Sequence, residues 1–184
     1  MAKVTVFGGT APKPGDEAYA QAYLLGRLLA SAGHTVVNGG YIGTMEAVSR
    51  GAAEAGGLVI GITCDEIEKY RPGKPNLWIH QEIRYPMLRE RLMGMIDSAD
   101  AAIALPGGVG TLTEILTTWN HLLIGAITPR PLILVGSEWK SVIGKFLIEL
   151  GEYITPSQRE WIKYAEDVAL AVQMVEDRSA VDHS

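Results

Sequence analysis

The feature that most constrains the fold of this chain is the regular alternation of short apolar runs with longer segments of helical periodicity. A short apolar run bounded by turn residues is typical of a buried strand, whereas apolar residues three and four positions apart are typical of an amphipathic helix. Alternating strands and helices form βαβ units, because parallel neighbouring strands need a crossover connection. The predicted strands are Val4–Phe7, Thr35–Val37, Leu58–Ile62, Leu77–Ile83, Ala101–Leu105 and Leu132–Val135.

Helical segments fill most of the intervals between these strands. Asp16 is expected to cap the first helix, which ends near Gly33. The other predicted helices are Ile42–Ala55, Pro86–Ser98, Thr111–Ile124 and Trp139–Leu150. We therefore predict an α/β fold with a doubly wound, mainly parallel sheet and helices on both faces, which is a Rossmann-like arrangement.

Two parts of the chain depart from the alternation. The segment Asp65–Asn76, which contains two prolines and a glycine, is expected to be irregular and to act as a mobile lid. After the Trp139–Leu150 helix we expect only a smaller C-terminal element. Because there is no internal repeat or linker, residues 1–178 are predicted to form a single domain, followed by a polar tail at residues 179–184.

Charge and residue usage exclude several classes of protein. The 16 basic and 21 acidic residues give a net charge of −5, which disfavours binding to nucleic acid. No apolar run approaches the roughly 18 residues of a membrane span, so no membrane association is expected. The single cysteine, Cys64, cannot form an internal disulfide and is typical of a cytoplasmic protein. The four histidines are scattered without ligand spacing, so no metal site is predicted.

Glycine clusters locate the predicted ligand site. The chain has 21 glycines, where average usage of about 7% gives roughly 13. Because the carboxyl ends of parallel strands meet at one edge of a sheet, clusters that follow different strands come together there. The clusters after three predicted strands contain Gly8, Gly9 and Thr10; Gly39, Gly40 and Gly43; and Gly107, Gly108, Gly110 and Thr111.

These loops have the context of a phosphate site. A helix N-terminus presents unpaired N–H groups, and glycine lets an anion approach the backbone closely. For each loop alone, a tight strand–helix turn is an equally good interpretation, but two such loops at one edge make a site for a small phosphorylated ligand the better one. The loops do not name that ligand. Neither loop has the full pattern of a dinucleotide-binding fingerprint or a P-loop, so a dehydrogenase and a nucleoside triphosphatase are both disfavoured.

Two charged residues near these loops have ordinary structural interpretations. The run from Thr111 to Glu114 reads as a capping box, in which the glutamate bonds back to the first N–H of the helix. Arg91 can be a solvated arginine on the Pro86–Ser98 helix. Periodicity and spacing do not separate these structural roles from functional ones.

The segment Pro106–Glu114, Pro-Gly-Gly-Val-Gly-Thr-Leu-Thr-Glu, resembles the Pro-Gly-Gly-x-Gly-Thr-x-x-Glu signature of the LONELY GUY (LOG) family. That family contains cytokinin-activating nucleoside 5′-monophosphate phosphoribohydrolases, whose members are often mislabelled as lysine decarboxylases. The resemblance covers most of the chain, from Val6 to Pro131. A lysine decarboxylase is not expected, because no lysine lies in a glycine-flanked site that would hold pyridoxal phosphate.

The resemblance implies a function and roles for particular residues. Glu114 is implied as the catalytic carboxylate and Arg91, 23 positions earlier, as its catalytic partner, while the glycine loops and Thr111 hold the 5′-phosphate and ribose. The implied reaction hydrolyses an N-glycosidic bond to a free base and ribose 5-phosphate, with no cofactor. A homodimer or higher homo-oligomer with the site near its interface is also implied. The alternative is a carrier of a nucleotide or the molybdenum cofactor that does not turn its ligand over.

The chain departs from the family pattern at three positions. Asn38 and Glu46 stand where the family's second loop usually has glycines, and Leu92 stands where a lysine commonly follows the arginine. Glu46 can repel a phosphate, bond a ribose or simply stabilise the helix dipole. The departures bear on the substrate, cytokinin-type nucleotides above all, more than on the fold.

Overall fold

The structure, a computed structural model, describes residues 1–71 and 73–181 and contains seven strands in those ranges. The strands are β1 (Lys3–Phe7), β2 (Thr35–Asn38), β3 (Val59–Cys64), β4 (Gln81–Tyr85), β5 (Ala101–Ala104), β6 (Leu132–Val135) and β7 (Ile162–Ala165). The helices are α1 (Glu17–Ser31), α2 (Thr44–Glu54), α3 (Asp65–Tyr70), α4 (Leu88–Asp97), α5 (Val109–Leu123), α6 (Ser137–Leu150), α7 (Pro156–Arg159) and α8 (Val168–Val181).

The seven strands form one parallel sheet in the order β4-β3-β2-β1-β5-β6-β7. Strand β1 pairs with β2 on one side and with β5 on the other, so the direction of winding reverses at β1. Such a reversal is the topological switch point at which ligands bind in open α/β sheets. The predicted doubly wound α/β fold is confirmed.

Both faces of the sheet are covered by apolar helix surfaces. On one face, Val4, Val36 and Ile103 pack with residues of α1, α2 and α8. On the other, Phe7, Val37 and Ala104 pack with residues of α4, α5 and α6. Successive strand residues point to opposite faces, which is why the central strands β1, β2 and β5 are buried almost throughout.

Helices α1 and α2 are held unusually close by two glycines. A Cβ built on Gly26 of α1 would overlap the carbonyl oxygen of Val48, and one built on Gly51 of α2 would overlap that of Tyr23. The two backbones therefore touch directly, which places the start of α2 beside the loop that leads into α1.

Four features of the structure correct the sequence predictions. The segment predicted as a mobile lid begins with helix α3, whose first turn contains three carboxylates that favour a helix N-terminus. The strand predicted at Leu77–Ile83 is β4, shifted to Gln81–Tyr85, because its register is set by pairing with β3. Helix α5 begins at Val109, with Gly108 at its N-cap, so Thr111 lies inside the helix and the predicted capping box is wrong.

The fourth correction concerns the C-terminal region, which is larger than predicted. It adds strand β7 to the sheet, and helix α8 packs Val168, Ala171 and Val175 into the core. Of the tail predicted at residues 179–184, residues 179–181 belong to α8 and residues 182–184 lie outside the described residues.

The contact between α1 and α2 gives a stability prediction. Gly26→Ala is expected to lower the free energy of unfolding by about 1–3 kcal/mol, because its methyl group must push the two helices apart. Gly144→Ala in α6 is the matched control, since its new methyl group has no neighbour within 4 Å. The control should gain up to about 1 kcal/mol from helix propensity. Urea unfolding of both variants measures the difference, and equal changes in the two would contradict the close contact.

Candidate functional site

Three loops meet at the carboxyl edge of the sheet beside the switch point, and Gly9 joins them. Its N–H donates to the carbonyl oxygen of Pro106, 3.3 Å away, in the loop between β5 and α5. Its carbonyl oxygen accepts from the N–H of Thr44, 2.9 Å away, at the start of α2. The loops that follow β1, β2 and β5 are thus bonded to one another through their backbones.

The packing of these loops depends on missing side chains. Gly43 has a φ of +73°, and a Cβ on it would lie 2.6 Å from the carbonyl carbon of Thr10. A Cβ on Gly107 would overlap the hydroxyl of Thr111, and one on Gly8 would overlap the side chain of Thr44. The structure therefore brings together six of the predicted site residues, namely Gly8, Gly9, Thr10, Gly43, Gly107 and Thr111.

The N-terminus of α5 is the open part of this edge. Gly108 and Gly110 are exposed, and a Cβ built on either would have no neighbour within 4 Å. Val109 between them is 83% exposed. The first N–H groups of a helix have no partner within the helix, so this end of α5 presents donors to the crevice.

Gly39 and Gly40 lie deeper than the other glycines. A Cβ on Gly39 would overlap the guanidinium of Arg91, and one on Gly40, whose φ is +81°, would lie 2.9 Å from Thr63. Both residues are buried. The structure places them against Arg91 and β3.

Arg91 lies inside the protein and is not a solvated helix arginine. It is 6% exposed, and its Nε donates to the carbonyl oxygen of Ile62 at 2.7 Å while Nη2 donates to that of Gly39 at 3.0 Å. Burial lowers the pKa of Arg91, and the negative charge of Glu114 opposes that shift. Two carbonyls thus hold one edge of the guanidinium, while Nη1 has no hydrogen-bond partner among the described residues.

Glu114 lies in the second turn of α5 and is partly buried. Burial raises its pKa from the ordinary value of 4.5 to about 7, while the charge of Arg91 acts in the opposite direction. A carboxyl with this pKa exchanges its proton near neutral pH. Glu114 therefore has the property required of a group that accepts or donates a proton in a reaction.

Arg91 and Glu114 interact at a distance without forming an ion pair. Each alters the pKa of the other, yet within the described ranges no carboxylate oxygen lies within 4.0 Å of the Arg91 guanidinium. Direct pairing would neutralise both groups and stabilise the charged carboxylate. The arrangement instead leaves both groups available to a molecule bound between them.

The departures from the family pattern have structural roles. Asn38 is fully buried, with its Nδ2 donating to Ser49 at 2.8 Å and its Oδ1 accepting from the N–H of Gly40 at 2.8 Å. Glu46 accepts a bond from the hydroxyl of Tyr19 at 3.5 Å. Leu92 packs against the core on the α4 side of the sheet. Asn38 therefore holds the backbone of the second loop against helix α2 through these hydrogen bonds.

Two residues that hold the site were missed by the sequence analysis. Tyr41 is buried within the second glycine loop, and its ring faces Arg91. Asn76 binds the carbonyl oxygens of Gly40 and Tyr41 with its side chain at 3.2 and 3.0 Å. The position of Tyr41 inside a glycine cluster was a usable signal, whereas Asn76 lies 35 positions away in a segment with no recognisable pattern.

An open groove elsewhere on the molecule does not coincide with this site. It has a volume of about 650 Å³ and runs along the outer side of α4, lined by Tyr85, Arg89, Glu90, Met93, Gly94, Asp97 and Ser98. None of the predicted site residues lines it. In residues 1–71 and 73–181 no group of three or more histidine, cysteine or acidic side chains is arranged to hold a metal, and no helix has the length and apolar character of a membrane span.

The fold and the loops at its switch point define a Rossmann-like α/β protein. The chain belongs to the SLOG cluster4 family, whose sequence profile matches residues 1–144. The membership of the LOG family that the signature implied is confirmed by this match and by curated relatives.

Three similar proteins illustrate the relationship. An uncharacterized protein of Archaeoglobus fulgidus is 38% identical over 124 residues, which are 66% of this chain and 77% of the relative. A cytokinin riboside 5′-monophosphate phosphoribohydrolase of Rhodococcoides fascians is 27% identical and covers 94% of this chain and 88% of its own. The molybdenum cofactor binding protein of Rippkaea orientalis has a TM-score of 0.74 at 23% identity, with 95% of each chain covered, and shows the shared fold.

The raised pKa of Glu114 gives a prediction about stability. A carboxyl whose pKa is raised by folding favours the folded state below its unfolded pKa, here 4.5, and loses this contribution as the pH rises through about 7. Glu114→Gln is neutral at every pH. The free energy of unfolding of the variant, relative to the natural protein, should therefore increase between pH 4.5 and pH 8 by on the order of 2 kcal/mol. Urea unfolding at a series of pH values tests this, and a difference independent of pH would contradict it.

Proposed function

We propose that the protein hydrolyses the N-glycosidic bond of a nucleoside 5′-monophosphate, releasing a free base and ribose 5-phosphate. The observation that carries this proposal is a carboxyl with a pKa of about 7, Glu114, set near a buried arginine, Arg91, at the edge where α5 presents its N-terminus. The proposal is supported by the signature at Pro106–Glu114 and by the similarity to the phosphoribohydrolase of Rhodococcoides fascians.

The 5′-phosphate is assigned to the open N-terminus of α5. Backbone N–H groups and the helix dipole attract a phosphate there, and the glycines at 108 and 110 leave room for it. Gly9, Thr10 and Gly107 form the adjoining wall of the crevice. Gly39 contributes indirectly, since its carbonyl oxygen holds the guanidinium of Arg91.

Glu114 acts as the carboxylate of the reaction. When the bond between C1′ of the ribose and the base nitrogen breaks, its electron pair leaves with the base and positive charge develops on the sugar. An ionised Glu114 stabilises this charge and accepts a proton from the water that attacks C1′. The departing base takes up a proton from solvent, so the products are the neutral base and ribose 5-phosphate. The partial burial of Glu114 excludes competing solvent, and the same burial raises its pKa.

Arg91 holds the substrate in the orientation that the reaction needs. Its Nε and one hydrogen of Nη2 are occupied by backbone carbonyls, so the guanidinium cannot rotate freely. The edge formed by Nη1 and the remaining Nη2 hydrogen is directed away from those carbonyls and can donate two hydrogen bonds to phosphate or ribose oxygens. A fixed donor pair of this kind orients the sugar relative to Glu114.

The activity prediction uses AMP and N6-substituted analogues as substrates. Ribose 5-phosphate release should fall by about 10²–10⁴-fold in Glu114→Gln, because the proton acceptor is lost. Release by Arg91→Ala should fall by about 10²–10³-fold, because the group that orients the substrate is lost. The rate of the natural protein should rise with pH through about 7, since only ionised Glu114 accepts the proton.

Arg89→Ala is the matched control, because Arg89 is exposed on α4 two positions before Arg91 and lines the outer groove. Its activity should equal that of the natural protein. Absence of ribose 5-phosphate above the level of Glu114→Gln would refute the hydrolase proposal. Nucleotide or molybdenum cofactor binding that persists in Glu114→Gln without product would favour the carrier alternative.

The quaternary structure belongs to the same proposal: a homodimer whose interface lies near the site. Apolar residues are exposed on α4 and α5 beside it, among them Leu88, Val109 and Leu116. Exposed apolar side chains on adjacent helices are typical of a protein interface. The cytoplasmic location stays a prediction from the sequence.

Light scattering tests the dimer prediction. The expected mass is twice 19.8 kDa. Leu116→Glu on α5 should shift the protein to the mass of one chain, because it places a charge in the interface. Leu24→Glu on α1 is the control, since Leu24 is 39% exposed, against 40% for Leu116, and lies on the opposite face of the sheet. A monomeric natural protein, or equal effects of the two substitutions, would rule out this interface.

A further inference from the structure

Tyr41 is a buried aromatic residue that the glycine-loop function does not require. It lies between Gly40 and Gly43 in the loop after β2 and is 9% exposed. The face of its ring meets the guanidinium of Arg91, whose central carbon lies 5.6 Å from the ring centroid. A guanidinium at this distance from an aromatic face is attracted by the negative potential of the ring.

The hydroxyl of Tyr41 is anchored at the end of β3. Its oxygen accepts from the N–H of Cys64 at 2.8 Å, and lies 3.1 Å from the Cys64 carbonyl oxygen and 3.3 Å from Oε1 of Glu68. Burial raises the pKa of Tyr41, so the hydroxyl keeps its proton and can donate it to either acceptor. The ring is thus held at its far end by a strand and a helix outside its own loop.

Glu68 is itself held in place by an arginine. Nη1 and Nη2 of Arg84 donate to its two carboxylate oxygens at 3.0 and 2.6 Å. Arg84 also pairs with Asp65 at 2.5 Å and Glu82 at 3.3 Å. Single exposed ion pairs contribute little, but a two-pronged pair inside a group of charges holds its members in one geometry. Helix α3 is therefore fastened to β4 with Glu68 pointing at Tyr41.

Arg91 needs such support because its charge is buried and has no ion-pair partner in residues 1–71 and 73–181. Two carbonyl oxygens bind its Nε and Nη2, and Met45 contributes only a sulfur atom 4.0 Å from Nη2. A buried charge is costly unless several groups compensate it. The carbonyls bind the N–H groups and make no contact with the flat faces of the guanidinium. The Tyr41 ring lies over one face, so the guanidinium is held both in its plane and from one side.

We propose that Tyr41 is a positioning residue, which holds the guanidinium of Arg91 in place. Glu68, which Arg84 fixes between α3 and β4, in turn holds the hydroxyl of Tyr41. Tyr41 does not reach the reacting atoms itself. It sets the plane of the guanidinium, and thereby the direction in which Nη1 points. The consequence for catalysis rests on the proposed function, whereas the positioning itself can be tested without it.

The direct test observes Arg91 by NMR in protein with ¹⁵N-labelled arginine, its Nε–H signal being assigned by its loss in Arg91→Lys. In Tyr41→Leu, this signal should change its chemical shift, because the ring beside it is removed. The exchange of the Nε proton with solvent should accelerate by about two- to thirty-fold, which is the factor that corresponds to the free energy of a cation–π contact. In Tyr41→Phe and Glu68→Gln, which keep the ring, the exchange should accelerate less.

Tyr70→Leu is the matched control. Tyr70 carries a cation near its ring as well, with Nζ of Lys69 at 5.9 Å, but it is exposed and makes no contact with Arg91. The Arg91 signal should be unchanged in this variant. An unchanged Arg91 signal in Tyr41→Leu would overturn the proposal. If Tyr41→Leu does not fold, unchanged exchange in both Tyr41→Phe and Glu68→Gln overturns it equally.

A second measurement connects the positioning to turnover of AMP. Tyr41→Leu should lower kcat/KM by about two- to thirty-fold in the natural background. The same substitution should have no further effect in Arg91→Ala, because nothing is left to position. Equal losses in both backgrounds would overturn the proposal. If the natural protein itself releases no ribose 5-phosphate, the hydrolase function fails while the Arg91 signal still decides the role of Tyr41.

Discussion

The pairing of β1 with both β2 and β5 is the constraint on which the rest of the structure depends. Because the winding reverses at this strand, the loops on its two sides turn away from each other and open a crevice at its carboxyl end. Gly9, directly after β1, then bonds to the loops after β2 and β5. Close backbone contact of this kind excludes side chains, and it accounts for much of the glycine content at this edge.

The site that forms there is electrostatically costly. Arg91 is buried and forms no ion pair with the part of the chain that the structure describes, and the burial of Glu114 raises the pKa of that carboxyl to about 7. An ion pair between Arg91 and Glu114 would lower the free-energy cost of burying them, but it would also neutralise both groups. The protein instead compensates Arg91 with carbonyl oxygens and the ring of Tyr41. The charges remain separate and available, at some expense in stability.

Much of the fold followed from patterns of the chain, since apolar runs and helical spacing repeat in order along it. The misses have clear physical causes. Helix α3 was overlooked because its stability comes from acidic residues at its N-terminus and from Arg84 on a neighbouring strand. The strand β4 was placed early because its register is set by β3. The capping box failed because α5 begins two residues earlier than expected, at Val109.

The sequence by itself determined the sheet type, the three glycine clusters and the signature that contains Glu114, because each is a local pattern of consecutive residues. Only the tertiary structure decided what the single residues do. Asn38, which replaces a glycine of the family's second loop, is buried and holds that loop through hydrogen bonds with Ser49 and Gly40. Arg91 is buried against Gly39, and Tyr41 covers its face. These roles come from residues that are distant in the chain and adjacent in space, and no spacing along the sequence records that adjacency.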